Sequence, residues 1–251
     1  MSLKQKLKNN ELTLGSWIMM GNVMSIEVMA LAGFDWLVVD IEHTSIDLET
    51  TQSLISTIQA KGIKALVRVS KNEEVVIKKI LDMGADGIIV PMVNSKEDAI
   101  QAVNYVKYPP VGKRGVGLAR AQGYGTKFEE YKERLQDEIV VIAQVEHIDS
   151  VNNLEEILSV EGIDGIIVGP YDLSGSMGKP GKFEDEDVVE AIKRVEITCK
   201  KMGKALGFHV ISADHKEMLK KINDGFTFIA FSLDFFFLGE SARNEMKKIN
   251  Y

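Results

Sequence analysis

What this chain has little of narrows its reading first. It holds one cysteine, Cys199, in 251 residues, so no disulfide can form within it. That fits a reducing compartment, and a cytoplasmic location is the expectation. Cys199 falls in the helical pattern VVEAIKRVEITCKKMG, where it reads as a small apolar filler. Basic residues are in deficit: 30 Lys and Arg against 37 Asp and Glu leave a formal charge of −7. No Lys/Arg stripe with interleaved aromatics appears, which argues against a nucleic-acid partner. Long apolar runs are missing too. The opening MSLKQKLKNNELTLGSW lacks the unbroken apolar core of a signal peptide. The most apolar early stretch, Trp17 to Leu31, is broken by Gly21, Asn22, Ser25 and Glu27, so no membrane span is expected.

What is present is a β/α rhythm. Eight near-continuous apolar runs read as strands: Leu14–Met19, Trp36–Glu42, Lys64–Ser70, Gly87–Val93, Ile139–Glu146, Gly165–Val168, Lys204–Val210 and Phe226–Ser232. Runs of this kind suit strands covered on both faces. Helical patterns such as LETTQSLISTIQAKG, EEVVIKKILDMG and SVNNLEEILSVEG fill the gaps. Several end in Gly before the next strand (Gly33, Gly62, Gly84, Gly162, Gly203, Gly225), the residue a left-handed helix C-cap favours. Eight alternations predict a single (β/α)8 barrel over residues 1–251. An open doubly wound sheet is the runner-up. No GxGxxG follows any early strand, which weakens a dinucleotide-binding reading. One connection, residues 108–127, is long and Gly-rich and carries Pro109-Pro110; a lid or binding loop is the expected use.

In such a barrel the C-terminal strand ends form one face, where active sites sit. Strands five and six deliver Glu146 and Asp172 to neighbouring positions there. Two hard oxygen ligands suit a divalent cation that keeps open positions for water and substrate; each carboxylate alone could equally be a helix cap or an ion-pair partner. Arg68 closes an apolar strand, where a cation needs an anion. That anion could be Glu42, Glu146 or a substrate carboxylate, which the guanidinium fork fits. His43 follows the strand-terminal Glu42, and Asp40 offers a way to orient its ring for proton transfer. His147 and His215 read as surface or cap residues. No lysine stands convincingly at a strand end to form a Schiff base, since Lys64 is at the wrong end of its strand.

Six blocks in order then carry a resemblance: VVDIEHTSID, LVRVS, IIVPMV, YPPVGKRGVG, IAQVE and VGPYDLSGSMG. Together they resemble the HpcH/HpaI aldolase family over Leu12 to Phe237. The resemblance implies a metal-dependent class II aldolase on a (β/α)8 barrel of the pyruvate-binding type. Such an enzyme cleaves 2-keto-3-deoxy sugar acids or 4-hydroxy-2-oxo acids reversibly to pyruvate and an aldehyde. It implies Glu146 and Asp172 as ligands of Mg²⁺, Mn²⁺ or Co²⁺. Gln144 and Arg68 would hold pyruvate, with Arg68 stabilising the enolate, and His43, supported by Asp40, would be the acid/base residue. Gly169, Pro170, Tyr171 and Ser174 would line the substrate site, with backbone amides after Gly169 near the carboxylate. It also implies a homo-oligomer, a trimer or hexamer whose last helix packs on a neighbouring subunit; Phe235-Phe236-Phe237 agrees, because three consecutive rings cannot all face one core. The chain departs from the family pattern at Tyr171, often Ala, at His209, often aliphatic, and in the segment 118–127. Two other readings compete: a CoA-thioester lyase of the citrate lyase or malyl-CoA lyase type, and a barrel that has lost catalysis and serves as an oligomeric binding protein.

Overall fold

The computed structural model describes residues 1–249. Eight parallel strands close into a barrel in sequential order, each bonded to the next and β8 to β1. They are β1 Thr13–Ile18, β2 Trp36–Asp40, β3 Lys64–Arg68, β4 Gly87–Val90, β5 Val140–Val145, β6 Gly165–Val168, β7 Ala205–Val210 and β8 Phe228–Leu233. Every strand expected from the apolar runs is present; most end one to three residues earlier, because the polar strand ends turn into loops. The helices are α1 Leu3–Lys8, α2 Val23–Ala30, α3 Leu48–Ala60, α4 Glu74–Asp82, α5 Lys96–Val106, α6 Phe128–Glu138, α7 Ile148–Asn152, α8 Leu154–Leu158, α9 Pro170–Ser176, α10 Glu186–Met202, α11 His215–Asn223 and α12 Asp234–Met246. All six glycines expected to end helices have positive φ, between +64° and +104°.

Two apolar layers follow from the strand period of two. Outward residues such as Leu37, Val39, Val67 and Ile88 pack under the helices. Inward residues such as Trp36, Val38, Leu66, Ile89, Ile142, Ile167 and Phe228 fill the barrel, with Leu3 and Leu7 of α1 among them. Trp36 and Phe228 stack at 4.2 Å inside it. Gly15, the register partner of Trp36, makes room for that indole: a Cβ on Gly15 would lie 2.1 Å from the ring. Cys199 is buried on α10 and burial pushes its thiol up to about 12, an inert filler as expected.

The segment 108–127, expected as a lid or binding loop, is tied down within this chain by buried polar contacts. Arg114, fully buried, donates to Asp82 at 2.6 Å and to the Tyr131 hydroxyl at 2.9 Å. Buried Gln122 bonds Asp82 and Tyr108, and Arg120 donates to the Met83 carbonyl. These partners lie where α4 ends and β4 begins, the end of the barrel opposite the functional strand ends. The Phe run divides as its chemistry requires: Phe236 packs toward the barrel interior, Phe237 on Phe231 at 5.3 Å, and Phe235 stays 39% exposed. No helix among the described residues is long and apolar enough to cross a membrane.

Candidate active site

The alternation that fills the barrel also selects what tops it. Continuing inward positions by two gives Trp17 after Gly15, Asp40 and Glu42 after Val38, and Arg68 after Leu66. It also gives Gln144 and Glu146 after Ile142, Gly169 after Ile167, and His209 after Gly207. The apolar fill stops and polar side chains begin at one level of the barrel. Trp17, Arg68, Gln144, Gly169, Pro170, Tyr171, Asp172 and His209 line a small cavity of about 60 Å³ there.

Asp40 and Arg68 are register partners across β2 and β3. Their pairing is bidentate: Nε donates to Oδ1 at 3.0 Å and Nη2 to Oδ2 at 2.5 Å. Asp40 is fully buried, so this geometry offsets the cost of burying its charge. Arg68 also lies 3.4 Å from Glu42 Oε2, and its guanidinium stands over the Trp17 ring at 5.2 Å.

The expected support of His43 by Asp40 is replaced by another arrangement. Asp40 accepts the backbone N–H of His43 at 3.4 Å, while its side-chain bonding is directed at Arg68. The carboxylate beside the His43 ring is Glu42, 3.6 Å from Nε2. Strand alternation explains this: Asp40 points into the barrel, while His43 lies beyond β2 with its ring exposed beside Glu42. Burial raises the Glu42 carboxyl above its ordinary value; Arg68 opposes this, and Asp40 and Asp172 add to it.

Glu146 is buried and its Oε1 accepts the Met92 backbone N–H at 2.7 Å. Met92 holds that amide in place with a left-handed φ of +52°, uncommon for a side chain of its size. The Gln144 amide donates to Glu146 Oε2. Gly169 is closed in between: a Cβ there would meet Glu146 Cβ at 3.3 Å and Gln144 Nε2 at 3.4 Å. Burial is the largest cause raising the Glu146 carboxyl, with the charges of Glu42 and Asp172 adding to it. Asp172 is exposed, in the first turn of α9, where the helix favours an anion.

Among the described residues, no group of three or more His, Cys, Asp or Glu side chains is placed to hold a metal ion. Glu146 and Asp172, the two carboxylates expected as ligands, both stand at this end of the barrel, and two protein ligands would leave other positions to water and substrate. Their donor set fits a hard divalent cation. So does the electrostatics: the charge of Asp172 adds to the rise of both the Glu42 and the Glu146 carboxyls, and a cation would offset that repulsion.

Ser174, expected near the carboxylate end of a substrate, bonds within its own turn. It is buried, its Oγ donating to the Tyr171 carbonyl at 2.8 Å and accepting the Gly181 N–H at 3.0 Å. The hydroxyl is used to shape the turn after β6. Tyr171 is 56% exposed and meets Phe183 edge-on at 6.3 Å. His147 caps α7, its Nδ1 accepting the Asp149 N–H, the cap role read from sequence. The strand-end reading gave Glu42 only a part as a partner of Arg68 and gave Met92 and Trp17 no role; counting inward by two from Gly15 and Val38 places Trp17 and Glu42 at the mouth.

The sequence matches the HpcH/HpaI aldolase/citrate lyase family over residues 13–239. It is 35% identical to the 4-hydroxy-2-oxo-heptane-1,7-dioate aldolase of Shigella sonnei (strain Ss046), over 96% of this chain and 92% of that protein. It is 35% identical to the 2-dehydro-3,6-dideoxy-6-sulfogluconate aldolase of Pseudomonas putida, over 91% of this chain and 89% of that one. A solved HpcH/HpaI aldolase/citrate lyase family protein from Burkholderia cenocepacia J2315 superposes with a TM-score of 0.93 at 31% identity, covering 98% of both chains. By sequence along nearly its whole length and by fold, this chain belongs to the HpcH/HpaI aldolase/citrate lyase family.

Proposed function

We propose that this protein is a divalent-metal-dependent aldolase, cleaving a 4-hydroxy-2-oxo acid or 2-keto-3-deoxy sugar acid reversibly to pyruvate and an aldehyde. The observation that carries the reading is the shared cavity mouth. A buried bidentate Arg68–Asp40 pair, the Gln144–Glu146 pair and Asp172 meet at the C-terminal end of the barrel. The aldolase names of relatives at 35% identity support the lyase class.

Cleaving the bond between C3 and C4 leaves an electron pair on pyruvate C3. None of the residues lining the cavity is a lysine, so the chain offers no Schiff base there to take it up. A cation held by Glu146 and Asp172 would supply Lewis-acid stabilisation of the 2-keto acid. Arg68 adds a fixed positive charge beside the developing enolate. Asp40 holds the Nε edge of its fork, and Nη1 makes no hydrogen bond among the described residues, leaving it for a substrate oxygen. Gln144 Oε1 and Glu42 Oε2 are buried without a hydrogen-bond partner, as expected of groups that a bound ligand or its water completes. His43, with Glu42 beside it, takes the proton from the 4-hydroxyl as the aldehyde leaves, a step typically worth about 10²–10⁴ in rate.

The CoA-thioester reading finds less support. The wide groove beside Tyr171 carries three lysines, Lys193, Lys220 and Lys221, but also four acids, Glu184, Glu196, Glu217 and Asp224. That balance does not suit the phosphates of CoA. The exposed faces of α12, with Leu238 64% and Met246 52% exposed, support a homo-oligomer in which this helix packs on a neighbouring subunit.

The test is pyruvate release, followed with lactate dehydrogenase and NADH, on a panel of 4-hydroxy-2-oxo acids and 2-keto-3-deoxy sugar acids with Mg²⁺, Mn²⁺ or Co²⁺. Release that EDTA abolishes and added metal restores is the expected result. No EDTA-sensitive pyruvate from any member of the panel would overturn the reading.

A further inference from the structure

His209 occupies the inward position of β7 at the level where polar side chains begin. Its ring stacks on Trp17 with centroids 4.5 Å apart and planes within 14° of parallel. Both rings line the small cavity beside Arg68 and Gln144. His209 also lines the wider groove, about 1000 Å³, that continues past Tyr171 between α10 and α11. For a substrate whose keto-acid end is held at Arg68 and Gln144, this groove is a way outward, and it runs past His209. What lies against these rings is then the aldehyde half.

The two rings bring polar atoms with nothing to bond. His209 Nε2 and Trp17 Nε1 are both buried and both lack a hydrogen-bond partner among the described residues. An indole N–H can only donate. An aliphatic chain laid along the rings would leave both nitrogens unpaired, at a cost that native structures avoid. A carboxylate only accepts, so it could pair with Trp17 but could not serve an imidazole nitrogen that is itself an acceptor. Burial, with the charge of Arg68 adding to it, pushes the His209 ring down to about 4, so it is neutral at neutral pH. A hydroxyl answers both needs, because it accepts from Trp17 and bonds a neutral imidazole as donor or acceptor.

We propose that His209 and Trp17 form a hydroxyl-recognising subsite for the aldehyde half, selecting 2-oxo acids that carry a hydroxyl on C5, next to the carbon released as aldehyde. This rests on the aldolase reading above and narrows it. Of the two substrate classes, it favours polyhydroxylated 2-keto-3-deoxy sugar acids over 4-hydroxy-2-oxo diacids, whose C5 is a methylene.

Two probes that lack the 4-hydroxyl cannot be cleaved and differ only at C5: 2-oxopentanoate and 5-hydroxy-2-oxopentanoate. Their binding to the Mg²⁺-loaded protein is measured by calorimetry. The hydroxylated probe is expected to bind the wild type about tenfold tighter, the scale of one buried hydrogen bond. In His209→Leu the two probes should bind within twofold of each other, with the plain probe changed less than threefold. His209→Asn should keep part of the difference. Trp17→Phe, which keeps a ring for stacking and loses the N–H, should lose part of it and carries the comparison if His209→Leu does not fold. Equal affinities in the wild type, or a tenfold difference that persists in His209→Leu and Trp17→Phe, would overturn the subsite. Discrimination between the probes in a protein that releases no pyruvate from any substrate would uphold the subsite and overturn the aldolase reading instead.

Discussion

Arg68 grips the buried carboxylate of Asp40 through two hydrogen bonds, 3.0 and 2.5 Å long, across neighbouring strands at the mouth of the barrel. The pair fixes the plane of the guanidinium and leaves Nη1 without a hydrogen bond among the described residues. Removing Asp40 strands a cation that is itself only 11% exposed at its side chain. Asp40→Ala is expected to cost about 3–5 kcal/mol of stability, the scale for breaking one side of a buried pair. Arg68→Lys keeps the charge and loses the fork. It should fold, with kcat/KM lower by roughly tenfold or more, since the two-point hold on the cation is gone. Urea denaturation and steady-state kinetics check both; an Asp40→Ala protein as stable as the wild type would show that the pair does not hold this end of the barrel together.

Met92 adopts its left-handed backbone and presents its N–H to Glu146. Glycine adopts that conformation freely, whereas a β-branched side chain resists it. Met92→Gly is expected to be no less stable than the wild type, and Met92→Val less stable by about 1–2 kcal/mol. The valine variant should also bind metal more weakly, because Glu146 loses its amide partner. Equal urea midpoints for the two variants would contradict this.

Gly15 is fixed by sterics. Its Cβ would fall inside the Trp36 indole, which is itself anchored by a hydrogen bond from Nε1 to Thr13 Oγ1 at 3.2 Å. Gly15→Ala should therefore cost at least about 1–3 kcal/mol, the range for overpacking. Thermal melting of that variant is the check; an unchanged melting temperature would mean the indole can move aside.

The pH dependence follows from His209. Its folded pKa is depressed to about 4 from an ordinary 6.5. Between those values the unfolded chain binds a proton that the folded chain refuses, so stability falls as pH drops from 6.5 to about 4. The loss from this group is at most ~3 kcal/mol at the acid end, for a shift of that size; it is an upper value because one edge of the ring faces the open cavity. In His209→Leu this slope should vanish. Urea midpoints of the two proteins at steps from pH 7 to pH 4 measure it, and parallel curves would contradict it.

The barrel was legible because its strands are apolar runs at regular intervals, closed by helix-ending glycines at Gly33 to Gly225. Most of the polar side chains gathered at the mouth were legible as strand-terminal residues; their partnerships were not. Asp40 read as the support of His43 because the two are close in sequence, yet strand pleating turns Asp40 inward to its register partner Arg68 and leaves Glu42 beside the imidazole. Ser174 read as a substrate contact from its motif, but the turn after β6 takes up its hydroxyl. The segment 108–127 read as a lid or binding loop from its glycines and length. What distinguishes it is Arg114, whose guanidinium meets Asp82 and two tyrosine rings, Tyr108 and Tyr131, and nothing local in the sequence brings those together.

We propose that Glu146 and Asp172 hold the cation on which cleavage depends. Calorimetric titration of the metal-free protein with Mn²⁺, for the wild type, Glu146→Ala and Asp172→Ala, tests it most directly. Saturable binding of one ion by the wild type, abolished in both variants while circular dichroism shows the barrel intact, is the predicted result. Metal bound at full affinity by both variants would contradict the account.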